Sequence, residues 1–285
     1  MNNEKSGILL INKAEGYTSR KVGNMLARQL NIKKVGHLGT LDPFATGLLI
    51  FALGEGTKVL PFLEDDPKTY VATLQFGLLT TTLDPDGKVL KDESVEPFTN
   101  AEIEKVITRF TGQITQIPPT TSAIKIDGKR AYEYARRNVE VVMPKREVEV
   151  FSLKVLAYSH PELVIAATVS KGTYIRTLGQ DIAQALGTNA TTIKLVRTAH
   201  GDFKLDNAKR IEDVTLADMI SPSKALSRFP FYRVSDEEVK KVRNGMTIKL
   251  DASEEIVQIH DMNGVLQALY KKKGDNYIPL RGFNL

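Results

Sequence analysis

Twelve residues from Gly36 to Gly47 (GHLGTLDPFATG) impose the tightest constraint on this 285-residue chain. Three glycines and a proline in that span exclude both a helix and a regular central strand. What remains is a tight loop that holds one carboxylate, Asp42, and one imidazole, His37, in fixed directions. Taken alone, Asp42 before Pro43 also reads as an ordinary turn residue. Glycine-rich loops can cradle phosphates, but this one lacks both the Gly-Lys-Ser/Thr ending of a P-loop and the three-glycine dinucleotide spacing. Gly54-Glu55-Gly56-Thr57-Lys58 fails the same tests.

Regular hydrophobic patterns surround the loop. Gly7 to Asn12 reads as a short buried strand, and Thr18 or Ser19 is placed to cap a helix carrying Val22, Met25, Leu26 and Leu30 at helical spacing. Thr69 to Gly77 alternates, with Tyr70, Ala72, Leu74 and Phe76 on one face, which predicts a strand. Leu83-Asp84-Pro85-Asp86-Gly87 is turn chemistry. A helix is predicted after Asn100, striped by Ile103, Val106, Ile107 and Phe110 and stopped at Gly112. Between Arg146 and Tyr158 the apolar phase slips by one residue, from Val148 and Val150 to Phe151, Leu153 and Val155, so a bulged strand is expected. Leu163 to Ser170 predicts a further strand, and Tyr174 to Leu186 a helix with Gly187 just past its end. Strands and helices without strict alternation imply an α+β fold on a mixed, mainly antiparallel sheet flanked by helices.

Ser221-Pro222-Ser223 and Phe229-Pro230 read as a linker. The expected division is therefore residues 1–228 and a small β-rich C-terminal domain, 229–285. The latter has β-prone stretches at Glu255 to His260, Val265 to Tyr270 and Tyr277 to Leu280.

Composition narrows the function. Zero cysteines exclude disulfides, a thiol nucleophile and Cys-based metal sites, and four scattered histidines argue against a His-rich metal centre. The absence of cysteine fits a reducing cytoplasm, and the polar start Met1-Asn2-Asn3-Glu4-Lys5 carries no signal-peptide pattern, so a cytoplasmic location is expected. Apolar runs such as Gly47 to Leu53 are far short of the ~20 residues a bilayer span needs. No apolar patch or coiled-coil pattern suggests self-association, so a monomer is expected.

The net charge of +5 is modest, but its placement is not. Residues 125–146 hold seven basic residues (Lys125, Lys129, Arg130, Arg136, Arg137, Lys145, Arg146) against three acidic ones, a balance of +4. Tyr132 and Tyr134 lie inside this run. Cations for phosphates beside rings that stack on unpaired bases suit loop or single-stranded RNA. A solvated basic helix with inward tyrosines is the plainer alternative. Residues 229–285 carry only +1.

A last concentrated segment, Ser170-Lys171-Gly172-Thr173-Tyr174-Ile175-Arg176-Thr177-Leu178, leaves a strand through glycine and puts Arg176 near a helix start. There it can hold a carboxylate ionised, or simply pair with Gln180 or Asp181.

Gly36–Gly47 resembles the catalytic loop of the TruB family of bacterial tRNA pseudouridine synthases. The likeness continues in order through Lys13–Ser19, Gly54–Lys58, Lys68-Thr69-Tyr70, Pro118–Lys125, Gly128–Glu133 and Ser170–Leu178. The resemblance implies a pseudouridine-synthase-type fold with a small, often PUA-like, C-terminal domain. It implies conversion of a uridine, position 55 in the tRNA T loop, to pseudouridine by base flipping, without a cofactor or metal. Asp42 then matches the essential aspartate, Tyr70 the tyrosine against the target base and Arg176 the arginine paired with Asp42. His37 matches the histidine beside the extruded nucleotides, and Leu195 an apolar residue flanking the base. Residues 119–147 correspond to the loop that grips the T stem-loop, so Lys125, Lys129, Arg130, Arg136 and Arg137 are expected at the RNA, together with Lys58. Ala14, Leu38, Phe44 and Thr81 depart from the family's usual Pro, Thr, Leu and Asp; Thr81 thereby removes a carboxylate near the cleft. A non-catalytic tRNA-binding or tRNA-folding protein on the same scaffold is the rival reading. A glycoside hydrolase fits poorly, because only one carboxylate is positioned.

Overall fold

The structure, a computed structural model, describes residues 5–119, 121–122, 124–126, 128–135, 139 and 141–285, with only the backbone described for Lys125, Arg130, Tyr132 and Ala135. The first stretch comprises β1 (Gly7–Lys13), α1 (Ser19–Gln29), β2 (Val35–Leu38), β3 (Thr46–Leu53), β4 (Lys68–Phe76), β5 (Leu78–Thr80), β6 (Val89–Asp92), α2 (Asn100–Ile107) and β7 (Gly112–Gln116). The basic segment holds β8 (Lys125–Ile126), β9 (Lys129–Arg130) and α3 (Ala131–Ala135). Then come β10 (Arg146–Ser159), β11 (Glu162–Val169), α4 (Ile175–Ala185), β12 (Ala190–His200), β13 (Phe203–Lys204) and α5 (Pro222–Ala225). The C-terminal part is β14 (Phe231–Arg233), α6 (Asp236–Arg243), β15 (Ile256–His260), β16 (Leu266–Lys273) and β17 (Asn276–Gly282). Among the described residues, no helix is long and apolar enough to cross a membrane.

One nine-stranded sheet runs β1-β3-β12-β4-β11-β10-β7, with β2 on β3 and β13 on β12. All of its pairings are antiparallel except β3 with β12. The sheet is thus mixed and mainly antiparallel, as the pattern predicts. β1 and β3 are near-continuous apolar runs because both their faces are covered. Leu9, Ile11, Leu49 and Phe51 enter the main core, whereas Ile8, Leu10, Leu48 and Ile50 join a second core on the opposite face. Strand β4 alternates as expected, placing Tyr70, Ala72, Leu74 and Phe76 in the main core. Helix α1 is capped by Thr18, whose hydroxyl accepts the Lys21 N–H, and it buries Val22 and Leu26 against that core. Each such side chain contributes about 1.5–3 kcal/mol. The phase slip in β10 is a bulge: register shifts fall between Val150 and Ser152 and again between Val155 and Ala157.

The parallel contact of β3 and β12 fixes the end of the Asp42 loop. Gly47, at φ +96°, lies so close to Arg197 that a Cβ would stand 2.5 Å from the Arg197 carbonyl oxygen. The loop therefore ends against the middle of the sheet, where only glycine fits.

Three expectations change. Ser221-Pro222-Ser223 is not an open tether: Ser221 caps α5, Pro222 opens it, and Ile220 bridges to Ile8 of β1. Gly112 begins β7 rather than ending α2, which stops at Ile107 and continues as a 3-10 turn over Thr108–Phe110. The C-terminal part also contains α6, set by a Ser235–Glu238 capping box with Val239 and Val242 inward. Its sheet, β14-β15-β16-β17, is the expected β-rich unit. It shares the second core with β1 and β3 through Leu266, Leu269 and Phe283.

Candidate active site

The Asp42 loop is pinned by buried side chains whose partners are backbone atoms. Lys13 is 1% exposed, and its ammonium donates to the carbonyls of Ala14 (2.9 Å), Tyr17 (2.8 Å) and Pro43 (3.0 Å). Ser19 Oγ accepts the Leu41 N–H at 3.0 Å and donates to the Leu41 carbonyl at 3.1 Å. Arg197, with no exposed surface, donates Nε to Leu48 (2.7 Å) and Nη2 to Gly39 (3.0 Å), stapling the two ends of the loop. These contacts fix the backbone on both sides of Asp42, while its carboxylate stays 34% exposed.

That carboxylate meets Arg176, the second residue of α4. Asp42 Oδ2 lies 3.0 Å from Arg176 Nε, and the arginine side chain is only 4% exposed. Arg176 Nη1 lies 2.6 Å from Asp84 Oδ2 and donates also to the Thr82 carbonyl (2.9 Å) and to Thr121 Oγ1 (3.1 Å). Gln180 and Asp181 are not its partners. Two carboxylates thus share one buried guanidinium, each at a different nitrogen, a geometry a lysine ammonium could not reproduce.

From its local sequence Asp84 reads only as turn chemistry. It does sit in a turn: its Oδ1 accepts the Asp86 N–H at 3.1 Å and the Thr82 hydroxyl at 2.5 Å. Leu83 takes a left-handed φ of +59°, unusual for a branched residue. This twist and the Arg176 contact make the turn part of the site. Thr81 points elsewhere; it is exposed, and its hydroxyl accepts the Lys88 N–H at 3.0 Å, closing the same turn.

The electrostatics follow from burial. Desolvation raises the Asp42 pKa above its ordinary 3.8; Arg176 and more weakly Lys13 oppose this, while Asp84 and Asp86 reinforce it. Burial lowers Lys13 to about 8 despite Asp42 nearby. His37 is lowered by burial and by Arg197, which favours a neutral imidazole at neutral pH. Its ring lies 6.0 Å from Phe51, and its Nε2 is 3.4 Å from Thr40 Oγ1.

The remaining predicted residues divide into two groups. Tyr70 is 8% exposed and Leu195 6%; both belong to the main core, as do Leu41 and Phe44 of the loop, and Tyr70 is the register partner of Arg197. Lys58 is engaged within the chain, 2.5 Å from Glu55 and donating to the Gly282 carbonyl at 2.9 Å. Glu55 also accepts the Asn284 N–H, so this motif ties the C-terminal strand to the catalytic part. Lys129 is exposed on β9. The side chains of Lys125 and Arg130, and all of Arg136 and Arg137, lie outside the described residues.

Residues 27–175 match the TruB family pseudouridylate synthase N-terminal domain. The tRNA pseudouridine synthase B of Lactobacillus gasseri is 36% identical, covering 96% of this chain and 97% of that protein. That of Mesoplasma florum is 37% identical over 99% of both chains, and that of Clostridium tetani 39% over 86% of both. Among solved structures, an H/ACA RNP bound to a substrate RNA containing 2'-deoxyuridine superposes with a TM-score of 0.73 at 23% identity, over 98% of this chain and 85% of that one. A Cbf5-Nop10-Gar1 complex gives 0.74 at 24% over the same shares. These two share the fold, and the sequence relatives fix the family: the chain belongs to the TruB family of pseudouridylate synthases and is an isomerase.

Proposed function

We propose that this enzyme isomerises a uridine of tRNA, uridine 55 in the T loop, to pseudouridine, with Asp42 as the nucleophile. The observation that carries the reading is an accessible Asp42 carboxylate locked to a buried, doubly paired Arg176. The N1–C1′ bond breaks, the uracil turns and a C5–C1′ bond forms. The C5 proton is lost and N1 gains one, so mass and oxidation level are unchanged. Asp42 attacks as the carboxylate, and Arg176 keeps the ionised form accessible against the desolvation of its surroundings.

The target base must leave its stack, at a cost of a few kcal/mol. Tyr70 against the base and His37 beside the vacated position offset that cost by stacking, with Leu195 on the flank. An imidazole kept neutral by burial and Arg197 stacks without a charge to solvate. Incubation with unmodified tRNA, followed by nucleoside chromatography and mass spectrometry, tests the reaction. A mass-neutral isomer at the T-loop uridine is expected; base release would indicate hydrolysis, and an unchanged nucleoside a pure binder.

The basic segment supplies the phosphate grip in this reading. Arg136→Ala with Arg137→Ala is expected to weaken tRNA binding and to reduce the slope of log affinity against log salt by about 1–2. An unchanged slope in filter-binding titrations would place the grip elsewhere.

A further inference from the structure

The loop assigned to RNA and the catalytic ion pair meet at one buried amide. The loop leaves the sheet at Gln116 and returns at Arg146, and these residues are register partners across β7 and β10. Gln116 is 1% exposed, and among the described residues its side chain serves Tyr174 alone: Oε1 accepts the Tyr174 N–H at 3.0 Å, and Nε2 donates to the Tyr174 carbonyl at 3.3 Å. Tyr174 is the N-cap of α4 and has no side-chain capping bond of its own. Gln116 therefore fixes where that helix starts, and Arg176 lies two residues further on.

Two more contacts tie the same parts together. Arg176 Nη1 donates to Thr121 Oγ1, and the Thr177 hydroxyl reaches the Ile117 carbonyl at 3.5 Å. From the other side, the Tyr174 ring packs against the small apolar cluster of the basic segment, Ile124, Ala131 and Met143. The neck of the loop and the first turn of α4 thus form one unit with two kinds of bond, polar at the neck and apolar above it.

We propose that Gln116 is a positioning residue for Arg176, and that with Thr121 it makes the Asp42–Arg176 pairing depend on the seating of the RNA-gripping loop. This rests on the proposed reaction and adds a requirement to it: the loop aligns the catalytic pair as well as holding the tRNA. A residue acting only on binding would alter affinity, whereas a residue aligning Arg176 alters the step at saturation and the protonation of Asp42.

The test measures single-turnover pseudouridine formation at saturating tRNA, tRNA affinity and the pH dependence of the rate. Gln116→Ala is expected to lower the saturating rate on the order of 10- to 100-fold, because small misplacements of catalytic groups cost that much. Affinity is expected to stay within about two-fold. The acidic limb is expected to move to higher pH by about half a unit or more, since Asp42 faces Arg176, Lys13, Asp84 and Asp86, and only the first is loosened. Thr121→Val, which removes one acceptor of Arg176 at a half-buried position, is expected to change rate and limb in the same directions by less. Gln113→Ala, an exposed glutamine on the same strand, is expected to match wild type. Inactive wild type would overturn the proposed reaction. Active wild type with an unmoved rate and limb in Gln116→Ala overturns the positioning role, as does lost affinity with an unchanged saturating rate. If Gln116→Ala fails to fold by circular dichroism, Thr121→Val decides on the same criteria.

Discussion

Asp42→Asn is expected to fold, to bind tRNA with wild-type affinity and to form no pseudouridine, a loss of at least about 10³-fold in rate. The substitution is nearly isosteric, and Arg176 keeps Asp84, the Thr82 carbonyl and Thr121 as acceptors, so no buried guanidinium is orphaned. The loop is held by Lys13, Ser19 and Arg197 through backbone atoms and does not depend on the carboxylate. An amide can neither attack the sugar or base nor take a proton, so the chemical step fails while binding survives.

The same variant reports on the electrostatics. Burial raises the folded-state pKa of Asp42 above its unfolded value. Its charge therefore costs stability at neutral pH, a cost relieved as pH falls through the raised pKa. Replacing a group so disfavoured in its charged form should leave the calorimetric midpoint at pH 7 at or above that of wild type. In the wild type, the rate should fall on the acid side with a midpoint above the ordinary aspartate value, because the reacting form is the carboxylate. A marked loss of stability in Asp42→Asn, or turnover near wild type, would contradict the assignment.

What the sequence displayed and what it hid divide along physical lines. The alternation in β4 and the slip in β10 are local patterns with their expected structure; the glycine-rich loop is shorter than expected, because Gly36–Leu38, His37 included, pairs with β3 as strand β2, and Thr46 and Gly47 already belong to β3. The neighbours of Arg176 place it at a helix start, and the family resemblance pairs it with Asp42, 134 positions away, but nothing in the sequence shows its second partner, Asp84, 92 positions away. Asp84 was hidden because Asp-Pro-Asp-Gly is common turn chemistry, and nothing local shows that the turn presses on α4. Lys13 and Arg197 were hidden for a different reason. They are buried cations whose partners are backbone carbonyls, with Arg197 Nη1 left unpaired among the described residues, so no complementary acid in the sequence marks them. Lys58 shows the converse, since a glutamate three residues earlier gives it an internal partner. Helix α6 had a legible Ser-x-x-Glu start, but at eight residues its apolar face comes down to Val239 and Val242.

Arg176→Ala is the most disruptive substitution expected at the site. It removes the cation from between two carboxylates, and Asp84, 6% exposed, has no other cation within ion-pair distance among the described residues. Breaking a buried pair by deleting one partner costs about 3–5 kcal/mol, most of it the uncompensated charge left behind. Chemical denaturation at pH 7 should show that loss, and the rate should collapse with it. The pH dependence separates this account from a simple packing defect. Without Arg176, desolvation and the acidic neighbours act on Asp42 opposed only by Lys13, so its folded-state pKa rises further above the unfolded value. The folded state then binds more protons than the unfolded one, and stability falls as pH rises through that pKa. The deficit of Arg176→Ala relative to wild type should therefore shrink from pH 7 to pH 5, whereas a cavity left by a lost side chain would cost the same at both. Arg176→Lys restores the charge but not the two-nitrogen geometry, so it should recover part of the stability and little of the rate. A deficit that stays the same from pH 7 to pH 5 would mean that the guanidinium is held for its shape and not for the two carboxylates it joins.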